Sequence, residues 1–155
     1  MLNNFQLTDI LATTAVLISI TLLIYFAVKT LITSNFFQKG INLYQQKDYQ
    51  GAEAAFRRVI AINSTNDVVR LFLGDTLREQ GRVAEATDLF QEVISRNPKN
   101  PQGYLRLATI LMEQDKQAEA KTNLQQAQEL LQKQRQPETA KKIARLLEQM
   151  ETKSN

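Results

Sequence analysis

The chain has 155 residues and a net charge of +3, from 19 basic and 16 acidic side chains. That is the size of one modest domain, with too even a charge balance for a nucleic-acid footprint. It contains no cysteine and no histidine, which removes disulfides, thiol nucleophiles, thiolate and imidazole metal ligands and the commonest general base. The five glycines and three prolines are too few for a turn-rich β architecture and favour helices.

Residues 10–28 form a run of 19 without a charge, its polar members being Thr13, Thr14, Ser19, Thr21 and Tyr25. As a helix the run is about 28 Å long, close to the ~30 Å hydrocarbon core of a bilayer. Thr and Ser can return their hydroxyls to the helix backbone, and Tyr25 lies where a ring suits the interface. A cleaved signal peptide is the main competitor, but the first nine residues carry Asp9 and no Lys or Arg. No small-residue cleavage site follows either, so the run reads as an uncleaved anchor over 10–32. Lys29, Lys39 and Lys47 all follow it. By the positive-inside rule the long C-terminal part stays on the cytoplasmic or stromal side, with a short tail, 1–9, across the membrane. Thr8, Ala12, Ala15 and Ser19 share one helical face that could support pairing in lipid, though small residues are common in such helices anyway.

Beyond the anchor, one pattern recurs every 34 residues. It is clearest over 67–100, as Arg70-x-x-Leu73-Gly74-x-x-Leu77, then Ala86-x-x-x-Phe90, Val93 and Pro98. Small residues at Gly74 and Ala86 let two antiparallel helices approach, Leu73, Leu77 and Phe90 fill the space between them, and Pro98 ends the second helix. Over 33–66 the matching residues are Phe36, Gly40, Leu43, Asp48, Tyr49, Ala52, Phe56 and Val59; over 101–134 they are Tyr104, Leu107, Ala108, Leu111, Ala120, Leu124 and Ala127. Asn66–Asp67 and Asn100–Pro101 supply helix starts. After Pro137, Ala140-x-x-Ile143-Ala144-x-x-Leu147 restates the first-helix pattern displaced by two residues, with no second helix after it. A half-unit over 137–151 would cover the apolar edge of the third pair, leaving 152–155 as a disordered tail.

This spacing resembles the tetratricopeptide repeat, a two-helix unit of 34 residues. The expected fold is all-α: one N-terminal transmembrane helix, then an α-solenoid of three repeat pairs and a C-terminal capping helix. The chain departs from the family pattern at repeat position 4, often Trp, where it has Phe36, Arg70 and Tyr104. It also departs at position 7, where Lys39 replaces the usual Leu, and at position 32, where Ser64 replaces Pro and the third unit has none. A looser first unit and a longer last helix in the third are expected from these.

In this family, ligands meet repeat positions 2, 5, 9, 12 and 13 on the concave face. The resemblance therefore implies Ser34, Phe37, Ile41, Tyr44 and Gln45 in the first unit; Val68, Leu71, Asp75, Arg78 and Glu79 in the second; and Gln102, Leu105, Thr109, Met112 and Glu113 in the third. Of these, Phe37, Ile41, Tyr44, Leu71, Leu105 and Met112 would lay an apolar stripe across the groove, flanked by Asp75, Arg78, Glu79 and Glu113. Such a stripe suits an apolar segment of a partner protein. On this reading Glu at Tyr44 and Leu71 would abolish capture without loss of helix. The alternative is that the capping helix or the chain after the anchor covers part of the stripe. The Lys/Asn grip on a C-terminal carboxylate found in some members is not expected, since Phe37, Ile41, Phe72, Gln102 and Arg106 occupy its positions and only Arg106 fits. Glu79, Glu85, Glu113 and Glu119 read as solvated charge and not as catalytic carboxylates, and Glu53/Arg57 as a surface pair. No enzymatic activity, cofactor, metal, small-molecule substrate or nucleic acid is expected.

One anchor, three repeats and a short cap together resemble the small thylakoid tetratricopeptide proteins that assist photosystem I assembly. The resemblance implies a non-enzymatic assembly factor that holds photosystem I subunits or intermediates. A receptor for protein translocation and a scaffold for cell-envelope biogenesis share the same architecture and remain open, because repeats fix a shape and not a client.

Overall fold

The computed structural model describes residues 2–154 as seven helices and no strand among the described residues. They are α1 (Leu2–Gln45), α2 (Tyr49–Ile62), α3 (Asp67–Glu79), α4 (Val83–Arg96), α5 (Pro101–Glu113), α6 (Gln117–Lys133) and α7 (Pro137–Ser154). Helix α1 packs on α2, α3 on α4 and α5 on α6, each pair stacks on the next, and α7 closes the end against α6. This is an all-α solenoid whose core falls in two clusters, one through the first two pairs as far as Ile110 and one joining the third pair to α7.

The first helix differs from its expected segmentation. Residues 2–9 of the expected tail, the anchor 10–32 and the first helix of the first pair are one uninterrupted α1 of 44 residues. No proline interrupts it, so nothing in the sequence breaks the backbone ladder. The segment Thr8–Gln45 contains a window long and apolar enough to cross a membrane, and none of that window is buried against the protein. Its hydroxyls return to their own helix: Thr14 donates to the Leu11 carbonyl at 2.9 Å, Ser19 to Ala15 at 2.8 Å and Thr30 to Phe26 at 2.8 Å. At the other end α7 runs to Ser154, so 152–154, expected to be disordered, are helical.

Each pair is built on one contact. A Cβ on Gly40 would lie 2.5 Å from Phe56 Cε1, and one on Gly74 would lie 2.3 Å from Phe90 Cε1. Both rings are wholly buried, as are Ala52 and Ala86 beside them. In the third pair the same positions hold Ala108 and Leu124, so the added methyl is matched by a smaller partner, and both are again buried. The pairs are welded by a trio of rings: Phe56 stacks on Phe72 at 5.9 Å, and Phe37 meets Phe72 edge-on at 5.6 Å.

The connections repeat as well. Within the pairs the chain turns through left-handed residues at Lys47 (φ 62°), Gly81 (φ 79°) and Asp115 (φ 60°). The following amide reaches back five residues each time, Asp48 to the Leu43 carbonyl at 2.9 Å, Arg82 to Leu77 at 2.9 Å and Lys116 to Leu111 at 2.8 Å. This is the Schellman arrangement, which satisfies carbonyls at the helix end. Between pairs, Asn66 accepts from the Val69 amide at 3.2 Å and Asn100 from the Gln102 amide at 3.0 Å, capping α3 and α5. The link from α6 to α7 departs from this scheme. It uses the tight turn, with Arg135 at φ 58° and Gln136 donating to the Leu131 carbonyl at 2.9 Å. The two-residue displacement of the last motif follows: α7 joins α6 as a second helix joins a first. Ala140, Ile143 and Leu147 then pack in one cluster with Ala108, Leu124, Ala127 and Leu131.

The departures at repeat position 4 each find a local partner. The Arg58 guanidinium lies 5.0 Å above the Phe36 ring, and the Tyr104 hydroxyl donates to the Pro98 carbonyl at 3.2 Å. Arg70 is the demanding one, its side chain only 6% exposed, with Nε 2.8 Å from Glu92. Glu53, expected as half of a solvated pair, is instead a junction. Its side chain is 15% exposed and accepts from Arg57 (2.9 Å), Gln80 (3.0 Å) and Arg82 (2.8 Å). Burial pushes its carboxyl up, but those hydrogen bonds outweigh burial and hold it below the usual carboxylate range.

Three outcomes are expected in urea unfolding. Gly74→Ala should cost about 1–3 kcal/mol by overpacking, and Phe90→Leu added to it, copying the third pair, should recover part of that. Gly81→Ala should cost about 1 kcal/mol, because a Cβ disfavours the left-handed turn. Glu53→Gln should lose about 1–2 kcal/mol at neutral pH. A depressed folded-state pKa contributes stability above the unfolded value and loses it as pH falls through the folded value, so the gap between wild type and Glu53→Gln should close in acid.

Candidate functional site: a concave face with an ion-paired centre

Helices α1, α3 and α5 line one side of the stack, and the residues expected there meet on it. Phe37, Ile41 and Tyr44 come from successive turns of α1, Leu71, Asp75 and Arg78 from α3, and Leu105, Thr109 and Met112 from α5. The face is less open than the sequence implies. Leu71 is 4% exposed and belongs to the core, so its place in an apolar stripe is lost. Phe37, Ile41, Tyr44, Leu105 and Met112 are half-buried, the first three against the core of the first two pairs and the last two against that of the third. Thr109 spends its hydroxyl on the Leu105 carbonyl at 3.0 Å. Val68, a groove position that the stripe omits, is 52% exposed at the start of α3.

The centre is polar and internally paired. Asp75 Oδ2 accepts from Arg106 Nε at 2.8 Å, and Arg78 donates to Glu113 at 2.6 Å and to Glu79 at 2.7 Å. Two of these contacts cross from α3 to α5, so they also join the second and third pairs. Burial pushes the Asp75 carboxyl up, against the pull of Arg106. Burial likewise raises Tyr44, helped by the charges of Asp75 and Glu79. The Tyr44 ring meets Tyr49 edge-on at 5.6 Å, and the Tyr49 hydroxyl is 3.5 Å from Glu79.

Arg106, which the sequence offers only as a lone match to the carboxylate grip, is thus committed to Asp75, and its Nη1 donates to Gln102 at 2.9 Å. The signal was available: Asp75 and Arg106 are separated by nearly one repeat, which sets them on adjacent first helices. No cluster of three or more metal-ligating side chains occurs among the described residues. The face has apolar flanks on α1 and α5 and a charged, internally paired floor between them.

A family model for the tetratricopeptide repeat matches residues 43–90 and 77–150, and the chain belongs to this family of protein-interaction scaffolds. Solved structures of the same shape include the type III secretion chaperone SycD of Yersinia enterocolitica in complex with a peptide of the translocator YopD. That likeness has 23% identity and a TM-score of 0.69 over 79% of this chain and 94% of that one. The TPR2B domain of yeast Sti1, in its pHsp70 complex, is 17% identical with a TM-score of 0.71 over 79% and 98%. PcrH bound to the chaperone-binding region of PopD is 17% identical with a TM-score of 0.70 over 79% and 92%. At these identities the likeness is one of fold. No curated protein matches the sequence.

Because each partner in the Asp75–Arg106 pair keeps about a fifth of its side chain exposed, solvent discounts the pair. A double-mutant cycle with Asp75→Asn and Arg106→Gln should give a coupling near 1 kcal/mol.

Proposed function

We propose that the protein is a non-enzymatic, membrane-tethered adaptor that holds a segment of another protein on its concave face. Its clients on this reading are photosystem I subunits or assembly intermediates. They are met on the cytoplasmic or stromal side of a thylakoid membrane, which α1 crosses once. The observation that carries the adaptor reading is the double use of α1. One unbroken helix supplies both the apolar span and the groove residues Phe37, Ile41 and Tyr44. A client embedded in or leaving the bilayer would meet the groove without a flexible joint between them.

Three further observations support it. SycD and PcrH, which share this fold, are seen with a peptide of the translocator YopD and with the chaperone-binding region of PopD. Peptide capture is thus an established use of the same shape. Three of the four carboxylates read as solvated charge are held in ion pairs, Glu79 and Glu113 to Arg78 and Glu85 to Arg82. The pairing of Arg106 with Asp75 leaves no free grip for a C-terminal carboxylate, so the client segment is read as internal and apolar. The photosystem assignment rests on the architecture of one span, three pairs and a cap.

The test is capture with the tagged full chain, extracted from its own membranes in mild detergent. Photosystem I subunits are expected in the eluate. Leu71 is buried, so Glu there would break the core and say nothing about the groove; Tyr44→Ala with Met112→Ala replaces that design. The double variant should lose the client while its circular dichroism and membrane association stay unchanged. Translocon subunits or envelope synthases in the eluate would instead make the protein a receptor or scaffold for those systems.

A further inference from the structure

The helices alternate in direction, so the connections sort onto two edges of the stack. Helix α1 leaves its exposed apolar stretch at Ile32 and reaches its first core contacts at Phe36 and Phe37, about 6 Å further on. Helix α2 runs back alongside it, with Phe56 at Gly40 and Arg58 over Phe36, and so ends level with the end of the span. Both connections between pairs, 63–66 and 97–100, fall on that edge. Arg96 crosses between them to Asp67 at 3.1 Å. Gln134 donates to the Lys99 carbonyl at 2.7 Å, bringing the turn before α7 to the same edge. The turns at Lys47, Gly81 and Asp115 occupy the opposite one.

Charge sorts with the edges. The span-side edge carries Lys29, Arg58, Arg96, Lys99, Lys133 and Arg135. Its acids Asp67, Glu92, Glu129 and Glu138 are already held, by Arg96, Arg70, Lys133 and Lys141 in turn. Lys99 and Arg135 are exposed and enter no ion pair among the described residues. The opposite edge inverts the balance, with Asp48, Glu79, Glu85, Glu113, Asp115 and Glu119 against Lys47, Arg78, Arg82 and Lys116 there. Val68, half exposed, sits among the basic residues at the start of α3.

We infer that the span-side edge docks on anionic lipid headgroups of the leaflet from which α1 emerges. This rests on the reading of α1 as a membrane anchor. One helical turn separates span from stack, less than the screening length of about 8 Å at physiological salt, so Arg58 and its neighbours feel the leaflet's charge. An acidic protein would match the same charge, but the tether holds lipid beside this edge at all times, and effective concentration favours it. The acidic edge is repelled from the same leaflet, so the two edges together keep the groove helices upright on the membrane.

The absence of cysteine makes single-site labelling direct. The full chain, labelled at Asn97→Cys or Asp115→Cys, is reconstituted into vesicles of phosphatidylcholine alone or mixed with phosphatidylglycerol. Collision with a headgroup-bound quencher is then measured. Quenching at position 97 should rise severalfold with phosphatidylglycerol and fall back in high salt, while position 115 stays dark to the quencher. Lys99→Glu with Arg135→Glu should remove the rise, and Lys116→Glu should leave it intact. Equal, lipid-independent quenching at both positions in a chain that floats with the vesicles would overturn the docking and leave the anchor standing, assigning the basic edge to an acidic protein. A chain that does not float would overturn the anchor and the docking together.

Discussion

Two helices approach only as closely as the side chains between them permit. Here that distance is set by a backbone Cα facing an aromatic ring. Gly40 against Phe56 and Gly74 against Phe90 leave no room for a methyl group, and each fixes the depth at which a second helix sits on a first. Everything downstream inherits that depth. Phe37 and Phe72 reach the Phe56 ring because the first pair is this close, and the turns at Lys47 and Gly81 can be tight for the same reason. The third pair relaxes the rule on both sides at once, with Ala108 and Leu124. This shows that the quantity conserved within the molecule is the sum of two volumes and not either residue.

Ion pairs play a second, different part. Exposed pairs contribute little to stability individually, yet here they span the seams between units. Arg82 reaches from the α3–α4 turn to Glu53 on α2, and Arg78 and Asp75 reach from α3 to α5. Apolar contacts between pairs fix spacing but resist sliding weakly. Directional contacts across the same seams fix the register and hence the curvature of the face that a client would meet.

Much of this was legible in the sequence because a repeat states itself more than once. Gly40, Gly74, Phe56 and Phe90 announce their contact by position, and Asn66 and Asn100 announce their caps. What the sequence hid lies where the period stops or where two periods interact. The boundary at residue 32 was drawn on polarity, but helix propagation ignores polarity, so α1 runs through it. The displaced last motif concealed a change of connection, visible only as a left-handed Arg135. Family position sets Leu71 in the groove, whereas the assembled stack buries it in the core of the first two pairs. The junction at Glu53 and the Asp75–Arg106 pair were missed for one reason: partners about 30 residues apart do not look like neighbours until the stack is assembled.

The unbroken α1 has a geometric consequence. In a helix each residue turns the chain by about 100°, so, with α1 as the proposed anchor, the number of residues between lipid and stack sets the compass bearing of the groove about the membrane normal. A protein with a floppy stalk can gain or lose a residue there at no cost to aim. In this one, a single insertion near residue 33 would swing Phe37, Ile41 and Tyr44 more than a quarter turn relative to the apolar stretch before them. On the proposed reading, segment length is as much a part of recognition as any side chain on the groove.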